Sequence, residues 1–465
     1  MKLRIHKNGN SFTPSSRPFY ISALLLLLTC SWNTVLVSQT VGPTPTLPLS
    51  LEQYLQRVSE KSQDLNIARR NIMQAELGVK QAKSSLFPRI NLQVGYARNF
   101  LDITQPYPVA ADTGSGSDPA PLIYQSIDIN KDNSFSLGLS ATQVIFDMRA
   151  YDALKYGREF ENLMKTGLKE AERSLRNAAK KLYFLGILLQ EVKKVKESSE
   201  RNAFEVYQDM KRRYTAGVVQ ELEVLRAEVN WKMKRSEVSQ AVKDVEVAVL
   251  NLKTLGGIPA ATSVVLTEKM EFLPSLPAEI LPDTVLPQRS DYELLLRQKR
   301  MAELSVALAK DEAYPSVAGV LSWARNYEDN ALRFRDPTDF MQLGIQVTVP
   351  LYTGGAVSSK VAGAILEVEK KDLELNKLRD SISTELSRLH LSLKEAKERV
   401  DTASALKETA EQAYKLAARS HQNGLLTTLE LNDAAVQLEG ARLQYTIAHY
   451  DYLSAYFDWE TALGK

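Results

Sequence analysis

Few residues in this chain are spaced for covalent chemistry. Its four histidines, His6, His390, His421 and His449, are scattered. No HExxH pair therefore sets two imidazoles on one helix face around a zinc ion, and neither a glycine-rich phosphate loop nor a nucleophile elbow occurs. The single cysteine, Cys30, falls in the leader, which leaves the body without thiolate chemistry or a disulfide framework. The 56 acidic and 58 basic residues balance at a net charge of +2 and are spread evenly, without the basic face that a nucleic acid requires. The sequence reads as a non-enzyme with no cofactor, no metal and no nucleic-acid partner. Two acids stand apart from the solvating majority. Glu223 and Glu430 each lie six residues past a glycine, Gly217 and Gly424, in two similar segments 207 residues apart.

Both segments are long amphipathic helices that reverse at the glycine. In the first, Leu182, Leu189, Ala203 and Met210 alternate with Leu185, Val192 and Val206. In the second, Leu386, Leu393 and Val400 alternate with Leu389, Ala396 and Ala403. Both follow coiled-coil spacing. Superposing the glycines also aligns Leu222 with Leu429, Ala227 with Ala434 and Val229 with Val436. A duplicated helical hairpin is the frame of the chain.

Ahead of it, Lys2, Arg4, Lys7 and Arg17 precede the apolar run FYISALLLLLTCSW, a signal peptide over residues 1–38 with cleavage near Ser38. Processing at Cys30 is the alternative, because LLTC approximates a lipobox, although Thr29 fits it poorly. Past residue 40 no apolar run approaches the ~20 residues of a membrane helix, so any crossing has to be made by strands. Residues 39–49 form a proline-rich linker, extended and solvated. Ser50 and Gln53 make a capping-box start to a helix that stops at Pro88.

Periodicity then changes to two. Ile90, Leu92, Val94 and Tyr96 alternate with Asn91, Gln93, Gly95 and Ala97; Phe135, Leu137, Leu139 and Ala141 alternate with Ser134, Ser136, Gly138 and Ser140. One apolar and one small or polar face over about ten residues suits an outer-membrane barrel strand, and a half-buried soluble hairpin shows the same alternation. The stretch between them reads as a long loop with three turn clusters. A second cycle follows, with YARN at 96–99 answered by WARN at 323–326. The first repeat spans 50–255 (helix, strands about 89–100 and 133–146, hairpin turning at 217). A proline-spaced connector spans 256–289. The second repeat spans 290–465 (helix, strands about 315–326 and 339–351, hairpin turning at 424).

A helix of about 68 residues is roughly 100 Å long, so the hairpins make a rod. Four strands per chain cannot close a barrel, which begins at eight, and lipid does not satisfy an open edge. Two chains would give eight strands with a filled interior; three give twelve with a lumen, which the Asn, Gln, Ser, Gly and Thr faces suit. The expected fold class is mainly α with membrane β: long coiled-coil hairpins forming a tunnel, plus four strands per chain in a shared 12-stranded barrel of a homotrimer.

The chain resembles the TolC-type outer-membrane efflux proteins, or outer membrane factors, over nearly all of its mature length. The resemblance rests on LSLEQYLQRV, LFPRINL, the paired YTAGVVQELEVL and HQNGLLTTLELNDA, PLYTGG, and HYDYLSAYFDWETALG, taken in order. It implies a trimeric conduit in the outer membrane of a Gram-negative bacterium with a periplasmic helical tunnel. Such a conduit is the exit duct of a tripartite efflux pump or type I secretion system, recruited by a periplasmic adaptor (membrane fusion protein) and an inner-membrane transporter. It also implies that the turns form the periplasmic entrance and touch the adaptor, which carries over to Gly217, Val218, Leu222 and Glu223 and to Gly424, Leu425, Leu429 and Glu430. Where some members have a tyrosine and an arginine around the second turn, this chain has His421 and Leu426, so the same gate bonds are not expected. His421 is read as an exposed surface histidine, with a pH-sensitive element as the alternative. Tyr96, Arg98, Trp323 and Arg325 are expected as anchors in outer-membrane lipid at one interface, or else as a cross-strand cluster in a soluble sheet. The competing reading of the whole is a non-transporting periplasmic adaptor or structural coiled-coil rod.

Overall fold

The computed structural model describes residues 46–110, 122–270 and 273–465; the expected signal peptide and Cys30 lie outside the described residues. A short strand, β1 (Thr46–Leu49), precedes α1 (Leu51–Lys61), whose start is closed by the Ser50/Gln53 capping box. Residues 46–49 are therefore not a solvated linker. They pair in parallel with β6 (Ser263–Leu266) in the connector, and the Leu49 side chain is buried. The Tyr183 hydroxyl donates to the Leu49 carbonyl at 2.8 Å. Pro48 is tolerated because a two-stranded ribbon leaves each strand one outward edge.

The first helix is also not continuous. Ser62 turns extended (φ −58, ψ 130) and α2 restarts over Gln63–Ser84. Strand β2 (Arg89–Arg98) follows. The expected loop then holds a further antiparallel ribbon, β3 (Thr104–Ala110) with β4 (Leu122–Asp128). Its register sets Val109 against Ile123 and Gln105 against Ile127; alternating β-branched and aromatic residues there outweigh the turn signals that flank them. Asn130 fixes its base, accepting from the Ile103 amide at 2.6 Å and donating to the Leu101 carbonyl at 3.0 Å.

Strand β5 (Asn133–Phe146) runs into α3 (Met148–Thr215), a helix of 68 residues. A bulge between Val144 and Phe146 redirects the chain at that junction, and the Asp147 side chain caps the helix by accepting from the Arg149 amide. Then come α4 (Glu221–Leu255), β6, the one-turn α5 (Pro282–Val285) with a 3-10 turn, α6 (Ser290–Asp311), β7 (Ser316–Asp329), β8 (Thr338–Thr348), α7 (Ala356–Gln422, 67 residues) and α8 (Thr428–Ala462).

Strands β2, β5, β7 and β8 form one antiparallel sheet in that order, with β2 and β8 each unpaired on the outer side. One face carries Leu92, Leu139, Trp323 and Met341 in a single cross-strand row. It is open: Ile90 is 68%, Leu343 79% and Ile345 73% exposed. A sheet that presents branched apolar side chains outward and serine, glutamine and glycine on the reverse is the inverse of a soluble half-buried sheet.

The helical part has two apolar cores. One lies along α7 and α8, where Leu386, Leu389, Leu393, Ala396, Val400 and Ala403 are all buried and Tyr452 and Trp459 close the end. The other is a waist that joins both repeats: Tyr54, Tyr183, Ile187 and Leu252 meet Leu453 and Phe457. The connector is built into these cores through Val285, Leu286 and Leu266, and the Tyr452 hydroxyl donates to the Pro274 carbonyl at 2.7 Å.

Candidate functional site

The two helix turns are built alike. Helix α3 ends at Ala216, and Gly217 takes a left-handed conformation (φ +72) that glycine accepts without a Cβ clash. The Gly217 amide donates to the Tyr214 carbonyl at 2.9 Å and the Val218 amide to the Arg213 carbonyl at 2.8 Å. The second turn repeats this with Gly424 (φ +72) to His421 at 3.0 Å and Leu425 to Ser420 at 2.9 Å. This paired closure satisfies carbonyls that the helix end would otherwise leave open. Nothing lies within 4 Å of a Cβ built on either glycine, so both reversals are open at the glycine itself.

Beyond the glycines the repeats diverge. Thr427 caps α8, its hydroxyl accepting from the Glu430 amide at 3.3 Å. The Glu430 carboxylate reaches back to the Thr427 amide and hydroxyl, each at 2.8 Å. Those hydrogen bonds from Thr427 hold the Glu430 carboxyl below the usual glutamate range. In the first repeat Gln220 stands where Thr427 does and makes no side-chain cap, and Glu223 instead pairs with Arg226 at 2.9 Å. Val218, Leu222, Leu425 and Leu429 remain 50–78% exposed, so apolar side chains crown both tips.

His421 is buried, not on the surface. Its Nε2 lies 3.5 Å from Thr428 Oγ1, which also contacts the Met210 sulfur on α3 at 3.7 Å. It therefore sits where the end of α7, the start of α8 and α3 converge. Tyr214, its counterpart, is 46% exposed. The difference follows from α8 lying beside α3, which the first repeat does not reproduce at its own turn and which no single-helix pattern reveals.

At the other end of the molecule the four expected anchor residues do not form one level. Tyr96 donates to Asn133 Oδ1 at 2.8 Å and shares its cross-strand row with Phe135 and Tyr327. Trp323 sits four residues closer to the helices, opposite Leu139. Arg325 lies against the Trp323 ring at 5.9 Å and makes a two-point ion pair with Asp339 at 2.6 and 2.8 Å, while Arg98 covers Phe100. The denser aromatic group is Phe135, Tyr327 and Phe334, with centroids 5.3–6.1 Å apart. Sequence reading missed it because Phe334 comes from the loop between β7 and β8 and the Tyr96, Phe135, Tyr327 row exists only once register is fixed.

Among the described residues no group of three or more His, Cys, Asp or Glu side chains could hold a metal ion, and no helix is long and apolar enough to cross a membrane. What remains is a four-stranded wall with an apolar outer face, continuous with two long hairpins that reverse at open glycines.

The family model described as "Outer membrane efflux protein" matches residues 54–257 and 296–465. The chain is 26% identical over 424 residues to the pyoverdine export outer membrane protein OpmQ of Pseudomonas aeruginosa, covering 87% of this chain and 84% of that one. It is 20% identical over 381 residues to the alkaline protease secretion protein AprF of the same species, covering 80% and 76%. Among solved structures, the CmeC outer membrane channel of Campylobacter jejuni superposes with a TM-score of 0.71 over 89% of this chain and 85% of that one, at 18% identity.

Proposed function

The chain belongs to the outer membrane efflux protein family, and from that membership we propose that it is the exit duct of a tripartite efflux pump or a type I secretion system. The family is one of outer-membrane transport channels, and the fold is that of a channel with a helical tunnel. A single observation carries the reading. The sheet β2-β5-β7-β8 exposes an apolar face and ends in two unpaired edges, a combination that is stable in lipid only when copies complete a closed barrel. Three copies give twelve strands and leave a water-filled lumen; two would leave almost none. The duct is thus a homotrimer, performs no chemistry of its own, and works with a periplasmic adaptor and an inner-membrane transporter.

The tips suit the periplasmic entrance: Gly217 and Gly424 set the reversals, Val218, Leu222, Leu425 and Leu429 offer apolar contacts to an adaptor, and Glu223 and Glu430 place negative charge beside them. The aromatic row at Tyr96, with Arg98 and Arg325 two residues from it along their strands, suits the outer interface of the membrane, and Trp323 lies deeper. Cys30 is either removed with the leader or acylated. Pyoverdine and a protease are the cargoes named for two relatives.

The test is single-channel recording of the purified protein in a planar bilayer, alongside heat-modifiable gel migration. Long-lived openings from a heat-sensitive trimer are expected. A verified trimer that never conducts would overturn the duct and favour the structural rod.

A further inference from the structure

Deep in the helical rod, one carboxylate joins the two hairpins. Glu439 on α8 has a side chain only 7% exposed; Lys196 on α3 reaches its Oε1 at 2.6 Å and Lys234 on α4 its Oε2 at 2.7 Å. Glu237 on α4 completes a two-plus-two network, 2.6 Å from Lys196 and 3.3 Å from Lys234. Burial alone would raise the Glu439 carboxyl, but the two lysine bonds outweigh it and hold it below the usual range. Beside it is a cavity of about 30 Å³ lined by Asn202, Asn230, Asn432 and Tyr414, room for about one water.

The position of this network matters more than its strength. On the waist side, α3 and α8 are also tied by Lys180 to Glu460 at 2.7 Å and Asn177 to Asp458 at 2.9 Å, and by the apolar core around Tyr183 and Phe457. On the tip side roughly 30 Å of α3 remains. There the hairpins meet through the buried side chains of Ala203, Met210 and Leu431, the weak Thr428 to Met210 contact, and Glu205 facing Tyr414, with no ion pair between them among the described residues. The Glu439 network is thus the last ionic tie before the tips.

We propose that Glu439, held by Lys196 and Lys234, is the positioning residue that sets how far the α7/α8 tip separates from the α3/α4 tip, and so the width of the entrance. This rests on the duct reading. Breaking the tie leaves the tips held by the small apolar contact around Met210 and Thr428, while the waist and the barrel do not depend on these side chains.

The experiment uses the full-length trimer with Glu439→Gln, recorded in planar bilayers. Removing one member of a buried ionic network typically shifts a two-state balance by about tenfold or more, so open probability is expected to rise by that order while the trimer migrates normally. A second variant adds Met210→Cys and Thr428→Cys, whose side chains already touch; the mature body has no other cysteine. Oxidation is expected to return Glu439→Gln to wild-type conductance and reductant to reverse this, which general misfolding would not do. If Glu439→Gln yields no trimer, the combination Lys196→Met, Lys234→Met, Glu237→Gln, Glu439→Leu removes the same tie without leaving a carboxylate unpaired and is expected to show the same rise. Wild-type open probability in either variant, or a rise that the disulfide does not reverse, overturns the proposal. A silent wild-type trimer would instead fail the duct reading itself.

Discussion

The start of α8 allows the roles of helix cap and entrance charge to be separated in one residue. Thr427→Ala removes the hydroxyl that accepts from the Glu430 amide, and loss of such an N-cap costs about 1 kcal/mol, or roughly fivefold in the opening of the first turn. Glu430→Gln keeps an acceptor for the Thr427 amide, since glutamine also serves in a capping box, but removes the charge. Glu430→Ala removes both. Hydrogen exchange of the amides from Thr427 to Leu431 in the detergent-solubilised trimer is expected to quicken about fivefold in Thr427→Ala, to quicken in Glu430→Ala, and to stay near wild type in Glu430→Gln. Channel conductance should change in Glu430→Gln as well, because the charge is what an ion passing the entrance feels. Because the Glu430 carboxyl is held low by its Thr427 partners, its help to the helix is present above the unfolded glutamate value of about 4.3 and is lost as pH falls through the lower folded value. Exchange in Thr427→Ala that matches wild type would refute the capping argument. Conductance unchanged in Glu430→Gln would remove this acid from the entrance while leaving the cap.

Gly217→Ala and Gly424→Ala meet no neighbour and differ from wild type only in backbone strain at φ +72, so each should lower stability by about 1–2 kcal/mol, read from thermal melting of the helical signal, with Gly424→Asn less harmful. Asp311→Asn should stabilise the protein at neutral pH. The Asp311 carboxyl is pushed up by burial and by the neighbouring Asp152, Lys155 serves Asp152, and Asp311 Oδ2 has no hydrogen-bond partner; the gain, about 1 kcal/mol as for other single-site charge repairs, should fade as pH falls and the native carboxyl protonates, checked by melting across pH. Leu393→Ala, at a position with no exposure, should cost about 2–5 kcal/mol and lower the melting temperature. Val229→Asp, in the open stripe of Leu225, Val229 and Met233, should leave helical content intact but reduce the trimer fraction in native gels.

The turns, the duplication and the two strand pairs were legible because each is written in local periodicity: 3.5 for the helices, two for the strands, and a glycine where the helix must reverse. What the sequence hid depends on partners distant in the chain. Thr46–Leu49 looks like a solvated proline linker until β6, over 200 residues later, pairs with it. His421 looks like a polar residue near an exposed tip until α8 folds back beside α3. Phe135 and Tyr327 are ordinary strand residues until register places them beside Tyr96. Glu223 and Glu430 match in the alignment yet act differently, because position 220 is a glutamine and position 427 a threonine.

That last difference belongs to a wider inequality between the repeats. In the second hairpin the heptad rows Leu386, Leu393, Val400 and Leu389, Ala396, Ala403 are wholly buried within one chain. In the first, Ala203 and Met210 are buried while Leu182, Leu185, Leu189, Val192 and Val206 stay half-open, and a groove lined by Leu189, Val192, Met233 and Ala241 remains between α3 and α4. A helical pair whose seam is complete can shift as a unit without exposing apolar surface; one whose seam is incomplete must be held by something outside it. In the proposed trimer the neighbouring copy would supply that support, holding α3/α4 in the wall and leaving α7/α8 the freer pair. Beyond the waist, the ionic tether between the two pairs is then the carboxylate of Glu439 on α8, gripped by Lys196 on α3 and Lys234 on α4.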